Sequence, residues 1–367
     1  MKATVALREQ RKKQLLSQMQ ATPMRPLPLY YRNGWDHFVH EEVSRPQLGE
    51  LPDPDTDVAA DDPRISYHKH MRMITTDAMD HILQEAVDAV DLNCGRREGV
   101  LDRVIDGPRG TGKTALLRAV GRAAQLAIEE AQGGPSGKVI PLVHITSPAD
   151  SDSKVNWVWE IASFLGLNPA PKNETELLEW RRYPDLSVPV NYVLENAQTR
   201  LLLVDNIDRV TPDQLAAVLP YFDFLRSKLG ITTIFCGTGA SARIEQARHR
   251  TETDIRLTAG NHTAEQQPTQ PASLSPPLPV TWLHPFPLDT DDQETFYKVL
   301  ASFEKNLVLH RLEEHALTRY AKELHQRTDG YLTLLSQLIC SAALHAIRSK
   351  SENITLTELN AANIGGR

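Results

Sequence analysis

Gly107-Pro108-Arg109-Gly110-Thr111-Gly112-Lys113-Thr114 is the stretch on which the fold of this chain turns. It fits G-x-x-x-x-G-K-[ST], a loop whose backbone N–H groups cradle phosphates. Val100 to Ile105, just before it, reads as a short strand. Ala115 to Ala131, just after it, repeats Leu117, Val120, Ala124 and Ile128 at helical spacing. Strand, glycine loop and helix N-terminus form the context the motif needs, because N–H groups and the helix dipole then converge on an anion. Gly107, Gly110 and Gly112 let the backbone bend and approach the phosphates without a Cβ in the way. Pro108, Arg109, Thr111 and Ala115 complete the expected nucleotide-binding loop. Lys113 is expected at the β- and γ-phosphates and the Thr114 hydroxyl on the metal, so ATP and Mg²⁺ are the cofactors implied.

Downstream, Arg200 to Val204 is an apolar run that ends in Asp205-Asn206-Ile207-Asp208. This is the Walker B pattern: a buried strand whose terminal carboxylate, Asp205, serves the metal. The position after that carboxylate normally carries a Glu that activates water. Here it is Asn206, and an amide cannot act as a general base. Either Asp208 substitutes or ATP hydrolysis is slow, and slow hydrolysis is the expectation adopted. Ile231 to Cys236 reads as the next buried strand. Gly237-Thr238-Gly239 follows it, which makes Thr238 a candidate γ-phosphate sensor. Lys113, Asp205, Asn206, Asp208 and Thr238 are thus the candidate catalytic set, with Thr114 and Asp205 the candidate metal ligands.

Composition sets the outer limits. With 367 residues, 41% hydrophobic and 24% charged, the chain can hold two domains, each with its own core. A formal net charge of −7 means that any nucleic-acid contact must come from a local basic patch. Cys94, Cys236 and Cys340 form no C-x-x-C pair, which argues against structural zinc and a disulfide framework and suits a reducing cytoplasm. Cys236 and Cys340 lie in apolar runs and read as small core residues. His37, His40, His68 and His70 lack metal-ligand grouping and read as structural or surface residues. No apolar run is long enough for a transmembrane helix, and no signal peptide is expected.

Along the chain, residues 1–64 read as a largely flexible extension, Pro-rich and then acidic. Its exception is the aromatic patch Tyr30, Tyr31, Trp35 and Phe38, for which docking on this chain's own core or on a partner are both open. The globular part begins near Ile65, with a helix from Thr76 to Val90. Lys138 to Ile145 reads as a strand, and its Pro141 counsels an edge or bulged position. Helices are expected over Ser151–Leu165 and Glu174–Arg181. A mobile insertion rich in Pro, Gln, Thr and Ser is expected over residues 260–279. Val280 to Leu283 makes the fifth strand. Asp292 to Phe303, Leu312 to His325 and Tyr331 to Ala346 then read as three helices. The architecture expected is an α/β core with a five-stranded parallel sheet flanked by helices over residues 65–284, and a C-terminal α-helical lid over 285–367.

The order of P-loop, Walker B, Gly-Thr sensor and helical lid resembles the AAA+ ATPases. Within them the chain is similar to the TniB/TnsC family of transposition regulators. The likeness runs through Arg64-Ile65-Ser66-Tyr67-His68, GPRGTGKT, VIPLVHITSP, LLLVDNID, IFCGTGASAR, FPLDTDDQETFYKVLASFEKNLVL and DGYLTLLSQLICSAALHAIRSK. What this resemblance implies is an ATPase that assembles as a homo-oligomer, ring or helical filament, on duplex DNA. It would recruit a DDE-type transposase and a TniQ-like targeting protein. In such assemblies a neighbour's arginine reaches the γ-phosphate, for which Arg248, Arg250 and Arg256 are candidates. Lys154, Arg181 and Arg182 are candidates for tracking DNA phosphates. The chain departs from the family at Asn206, in the 260–279 insertion and in lacking an arginine where the lid helix after Gly330 begins. A STAND-type nucleotide-switch signalling or defence ATPase that binds no DNA is the alternative reading.

Overall fold

Strands covered on both faces draw on unbroken apolar runs, and the runs ending in Asp106, Thr146, Asp205 and Cys236 supply them. The computed structural model describes residues 27–41, 44–51, 53–54, 56, 58–59, 61–69, 77–94, 96, 99–135, 137–148, 157–167, 186–259, 277–288 and 293–362. In chain order these form α1 (Arg32–His40), α2 (Pro63–Lys69), α3 (Asp77–Cys94), β1 (Arg103–Asp106), α4 (Lys113–Ala131), β2 (Leu142–Thr146), α5 (Trp157–Phe164) and α6 (Ser187–Asn196). There follow β3 (Leu201–Asp205), α7 (Pro212–Leu229), β4 (Thr232–Cys236), α8 (Ala240–Ala259), β5 (Val280–Trp282), α9 (Gln293–Asn306), α10 (Ala321–Thr328), α11 (Leu332–Ser349) and α12 (Leu356–Ala361).

The sheet is parallel throughout, in the order β2-β3-β4-β1-β5. β4 therefore separates the strand that feeds the glycine loop from the strand that ends in Asp205. The register pairs Ile105 with Cys236 and Val204 with Phe235, so the carboxyl ends of β1, β4 and β3 finish side by side. Every residue of β3 and β4 is buried, whereas β5 leaves Val280 and Trp282 exposed at the far edge. β2 is the other edge strand. Pro141 stands just before it, where its missing N–H breaks no ladder bond. Trp157 is buried edge-on against Phe222 at 5.4 Å, and Trp159 is only partly covered.

α7 is a helix that the apolar pattern did not announce, because its hydrophobic residues are not confined to one stripe. Its ends are nevertheless signed. Thr211 and Gln214 form a capping box, Pro212 opens the first turn, and Gly230 closes the helix at φ 66°. The lid departs from expectation over Leu312 to His325, of which only Ala321–Thr328 is α-helix, preceded by a 3-10 turn at Thr318–Tyr320. The Glu304 carboxylate accepts from the N–H groups of His315 and Leu317 at 2.7 and 3.0 Å, and His315 takes φ 61°. Those bonds hold the stretch in a loop. α11 is long and apolar enough to cross a membrane by length and composition alone. Its Leu335, Leu338, Ile339, Ala342, Ala343, Ala346 and Ile347 are buried in the lid's own core.

The expected boundary at residue 64 falls inside α2, and parts of the N-terminal segment belong to the folded body. Trp35 of α1 is fully buried; it donates from Nε1 to Gln125 Oε1 at 2.9 Å and stacks on His144. A Cβ on Gly121 would meet that indole at 2.9 Å, so the glycine is what admits it. Of the aromatic patch, Trp35 therefore docks on this chain's own core, while Tyr30 and Tyr31 stay exposed. α2 instead joins the lid. Arg64 is sandwiched between Asp62 and Glu352, with both ion pairs at 2.8 Å. His68 Nε2 accepts from the Val308 N–H, and its ring also bonds the Arg64 carbonyl. The helix expected at Glu174–Arg181, and the residues Lys154, Arg181 and Arg182, lie outside the described residues. So does most of the 260–279 insertion.

Two outcomes follow for stability. Replacing Glu352 with Ala leaves the buried Arg64 half-compensated and should cost about 3–5 kcal/mol, read as a lower urea midpoint with the Glu352→Gln variant in between. His144 is buried, and burial pushes its pKa down to about 4 from the usual 6.5. The unfolded chain therefore binds the proton first, so the contribution of His144 is complete above pH 6.5 and is lost as pH drops from there towards 4. The urea midpoint of the unaltered chain, taken relative to that of His144→Phe, which keeps a ring against Trp35 but cannot titrate, should therefore fall across that window.

Candidate functional site

The site is assembled where β1, β4 and β3 end, the crevice in which open parallel sheets take their ligands. After β1 the backbone turns through Gly107 at φ 145°, and a Cβ there would stand 2.1 Å from the Leu283 carbonyl oxygen. The turn closes at Gly112, φ 95°, which caps α4 without any side-chain capping bond. The first N–H groups of a helix lack intrahelical partners, so this helix start presents donors and a positive dipole end towards the crevice.

Lys113 is the charge at the centre. Its Nζ donates to the carbonyls of Gly107 and Pro108 at 2.8 and 2.7 Å and to Thr238 Oγ1 at 3.2 Å. Burial draws its pKa below the usual lysine value, against the pull of the surrounding carboxylates of Asp208, Asp106 and Asp205. Thr114 Oγ1 donates to Asp205 Oδ1 at 3.1 Å, bringing both predicted metal ligands together. Asp205 Oδ1 also accepts from the Asn206 N–H at 2.9 Å. Asn206 itself lies in the left-handed region at φ 57°, a conformation that asparagine tolerates better than most residues. Asp208 turns its carboxylate inward: Oδ1 accepts from the Thr238 N–H at 3.2 Å, and Oδ2 is 3.6 Å from Arg109. Burial and the neighbouring Asp205 carboxylate raise the Cys236 thiol well above its usual range, so it stays protonated.

The resulting cleft has a volume of about 520 Å³. Gly110, Gly112, Lys113, Thr114, Asp205 and Thr238 line it, and Ala115, Asn206 and Asp208 share its wall. Every member of the predicted catalytic and metal set is therefore brought to one place. Hydroxyl and carboxylate oxygens are the ligands Mg²⁺ prefers, usually one or two beside phosphate oxygens. Among the described residues there is no group of three or more His, Cys, Asp or Glu that would hold a metal by itself. The donor set thus fits a metal carried in with a phosphate.

Of the arginine-finger candidates, proposed to act on a neighbouring subunit, Arg248 and Arg250 are not among the residues lining this cleft. Arg250 pairs with Asp213 of α7, the charge of Arg248 acts on Asp102, and the side chain of Arg256 lies outside the described atoms. Sequence reasoning missed four contributors. Arg118 lies one helical turn beyond Thr114 and lines the cleft, as does Arg209; i, i+4 spacing from Thr114 was the available signal for Arg118. Thr333 comes from the lid, its N–H donating to the Gly110 carbonyl at 3.0 Å. The fourth, Asp106, is fully buried at the end of β1.

Comparison with known proteins agrees with this geometry. Residues 103–243 match the family described as AAA domain. No curated protein sequence matches the chain. Among solved structures, the Aeropyrum pernix ORC1 protein in complex with DNA is similar at 16% identity and TM-score 0.50, over 79% of this chain and 65% of that one. The Aeropyrum pernix ORC2 protein in its ADP form aligns at 12% identity and TM-score 0.48, over 89% and 71%. The Thermotoga maritima RuvB Holliday junction branch migration motor aligns at 14% identity and TM-score 0.40, over 79% and 68%. At 16% identity the likeness to the ORC1 protein is one of fold alone. With the sheet order, the strand–loop–helix around Lys113 and the family match all in agreement, the chain carries an AAA domain over residues 103–243, built on the P-loop AAA+ fold.

Proposed function

We propose that this chain is an ATP-dependent regulator of DNA transposition of the TniB/TnsC kind, which loads onto duplex DNA in its ATP form. The observation that carries the reading is the site's internal bonding. Lys113, Thr238 and Asp208 are linked by hydrogen bonds, and Asp205 holds Thr114 beside them, an arrangement suited to sensing a nucleotide, yet the residue after the Walker B carboxylate is Asn206. Asp208 is already committed to Thr238 and Arg109, which leaves it poorly placed to take over as general base. A site of this kind binds ATP and releases it slowly as ADP. That suits a protein whose ATP state must outlast the search for a partner.

In this reading, the helix start at Lys113 and Thr114 holds the phosphates together with Gly107–Gly112 and Ala115. With ATP bound, Lys113 would exchange the Gly107 and Pro108 carbonyls for the β- and γ-phosphates. Thr114 and Asp205 would hold Mg²⁺, and Thr238 would report the γ-phosphate. Bound Mg²⁺·ATP supplies the phosphoanhydride to be cleaved and the cation that offsets its charge. An arginine of a neighbouring subunit, from among Arg248, Arg250 and Arg256, completes the site in a ring or filament. Lys154, Arg181 and Arg182 are proposed to follow DNA phosphates. A DDE-type transposase and a TniQ-like protein are the partners. The motif strings running from Arg64 to the lid favour this family, and the similar ORC1 structure is one in complex with DNA.

Binding of a random-sequence duplex with ATP, with ADP and without nucleotide tests the proposal. Binding should require ATP, be lost in Lys113→Ala and weaken steeply with salt as counterions return to the DNA. Nucleotide binding with no DNA binding under any condition would contradict it and favour the signalling-ATPase alternative. The slow turnover has its own test. Asn206→Glu restores a carboxylate where water is activated and should raise the single-turnover rate at least about tenfold, even after the strain of a left-handed Glu. An unchanged rate would mean that Asn206 does not limit hydrolysis.

A further inference from the structure

Asp106 is an unusual place for a carboxylate. It ends strand β1, is fully buried, and stands immediately before the first glycine of the phosphate loop. Both its oxygens are used twice. Oδ1 accepts from the Gly107 N–H at 2.6 Å and from the Gly239 N–H at 2.8 Å. Oδ2 accepts from the Ser241 N–H at 2.9 Å and from the Ser241 hydroxyl at 2.6 Å. One side chain thus ties the beginning of the phosphate loop to the turn between β4 and α8, across the β1–β4 pairing. Burial works against its charge. The bonds from Ser241, Gly107 and Gly239 nevertheless hold the carboxyl below the ordinary carboxylate range, so it is ionised and at full strength as an acceptor.

The same turn is gripped from the opposite side. Thr238 N–H donates to Asp208 at 3.2 Å, and a Cβ on Gly237 would meet that carboxylate at 2.8 Å. Between the two carboxylates the turn is left little freedom, and the Thr238 hydroxyl is aimed at Lys113 Nζ, 3.2 Å away. The geometry points to a positioning role: Asp106 and Ser241 form a lock that fixes the 237–241 turn to the phosphate loop, so that Thr238 and Lys113 act on the same phosphate. This rests on the nucleotide reading and deepens it, since the lock concerns the response to the γ-phosphate rather than nucleotide affinity. A displacement of about 1 Å at such a site costs on the order of 10²-fold in rate, although binding is carried by other groups.

Ser241 provides the clean test, because Ser241→Ala removes one bond and leaves three on the carboxylate, whereas Ser241→Thr keeps the hydroxyl. Two readouts are taken on the full chain. Single-turnover ATP hydrolysis and ATP affinity report the chemistry, and amide hydrogen exchange over residues 237–241 reports the lock without requiring turnover. Ser241→Ala should exchange faster over that turn and hydrolyse roughly tenfold more slowly. Its ATP affinity should stay within about twofold of the unaltered chain, and Ser241→Thr should recover both readouts. Asp106→Asn, which presents a donor to one donor pair, should show the larger loss. Unchanged exchange over 237–241 in Ser241→Ala would overturn the lock. So would a rate loss that follows ATP affinity, or one that Ser241→Thr does not recover. Failure of the nucleotide reading would look different: the unaltered chain would bind no ATP, and exchange over the turn would still register whether the lock exists.

Discussion

The ammonium of Lys113 is the interaction on which this structure depends. It is a mostly buried cation with three oxygen partners, two of them carbonyls of its own loop. Such a group is stable only if backbone dipoles and carboxylates are gathered around it. The parallel sheet does that gathering, because β1, β4 and β3 end in Asp106, Cys236 and Asp205 at one level. β4 between the other two is what brings Thr238 to the cation. The same arrangement makes the cleft a place where a polyanion can replace weak carbonyl contacts with strong charge-assisted ones.

Around that centre the described residues form two hydrophobic cores, one on the sheet and one in the lid. The N-terminal segment touches both. Trp35 and Val39 pack into the sheet's core, whereas Arg45, Arg64, Tyr67 and His68 bond to lid residues. Leu332 and Thr333, at the start of α11, reach the phosphate loop from the lid side. A change of geometry at the loop therefore has a mechanical route into the lid, through the first turn of one long helix.

Much of the candidate site's layout was legible in the sequence, for a physical reason. Phosphate binding demands glycines, a lysine and a hydroxyl at fixed spacing next to a helix start, and a buried metal carboxylate demands an apolar strand before it. Those demands leave a pattern in residue types. Asp106 left none, because a single Asp between a strand and a glycine is read as a loop residue, and three of its four donors come from one distant turn, at Gly239 and Ser241. Trp35 left half a signal: an aromatic in a polar tail suggests docking but does not say where, and the complementary cue was a glycine, Gly121, within a helix. Over Leu312 to His325 the apolar spacing was misleading, since Glu304 captures the N–H groups that a helix there would have used. α7 was overlooked although Thr211-Pro212-Asp213-Gln214 spells a helix start.

The central claim is that these strand ends form a Mg²⁺·ATP switch. The most direct measurement is the structure of the full chain with Mg²⁺, a non-hydrolysable ATP analogue and a DNA duplex. The account predicts the triphosphate along Gly107–Thr114, with Lys113 Nζ moved from the Gly107 and Pro108 carbonyls to phosphate oxygens. Thr114 and Asp205 would flank the metal, and Thr238 would face the terminal phosphate. A nucleotide bound elsewhere, or a Lys113 that keeps its carbonyl partners with the analogue present, would contradict it.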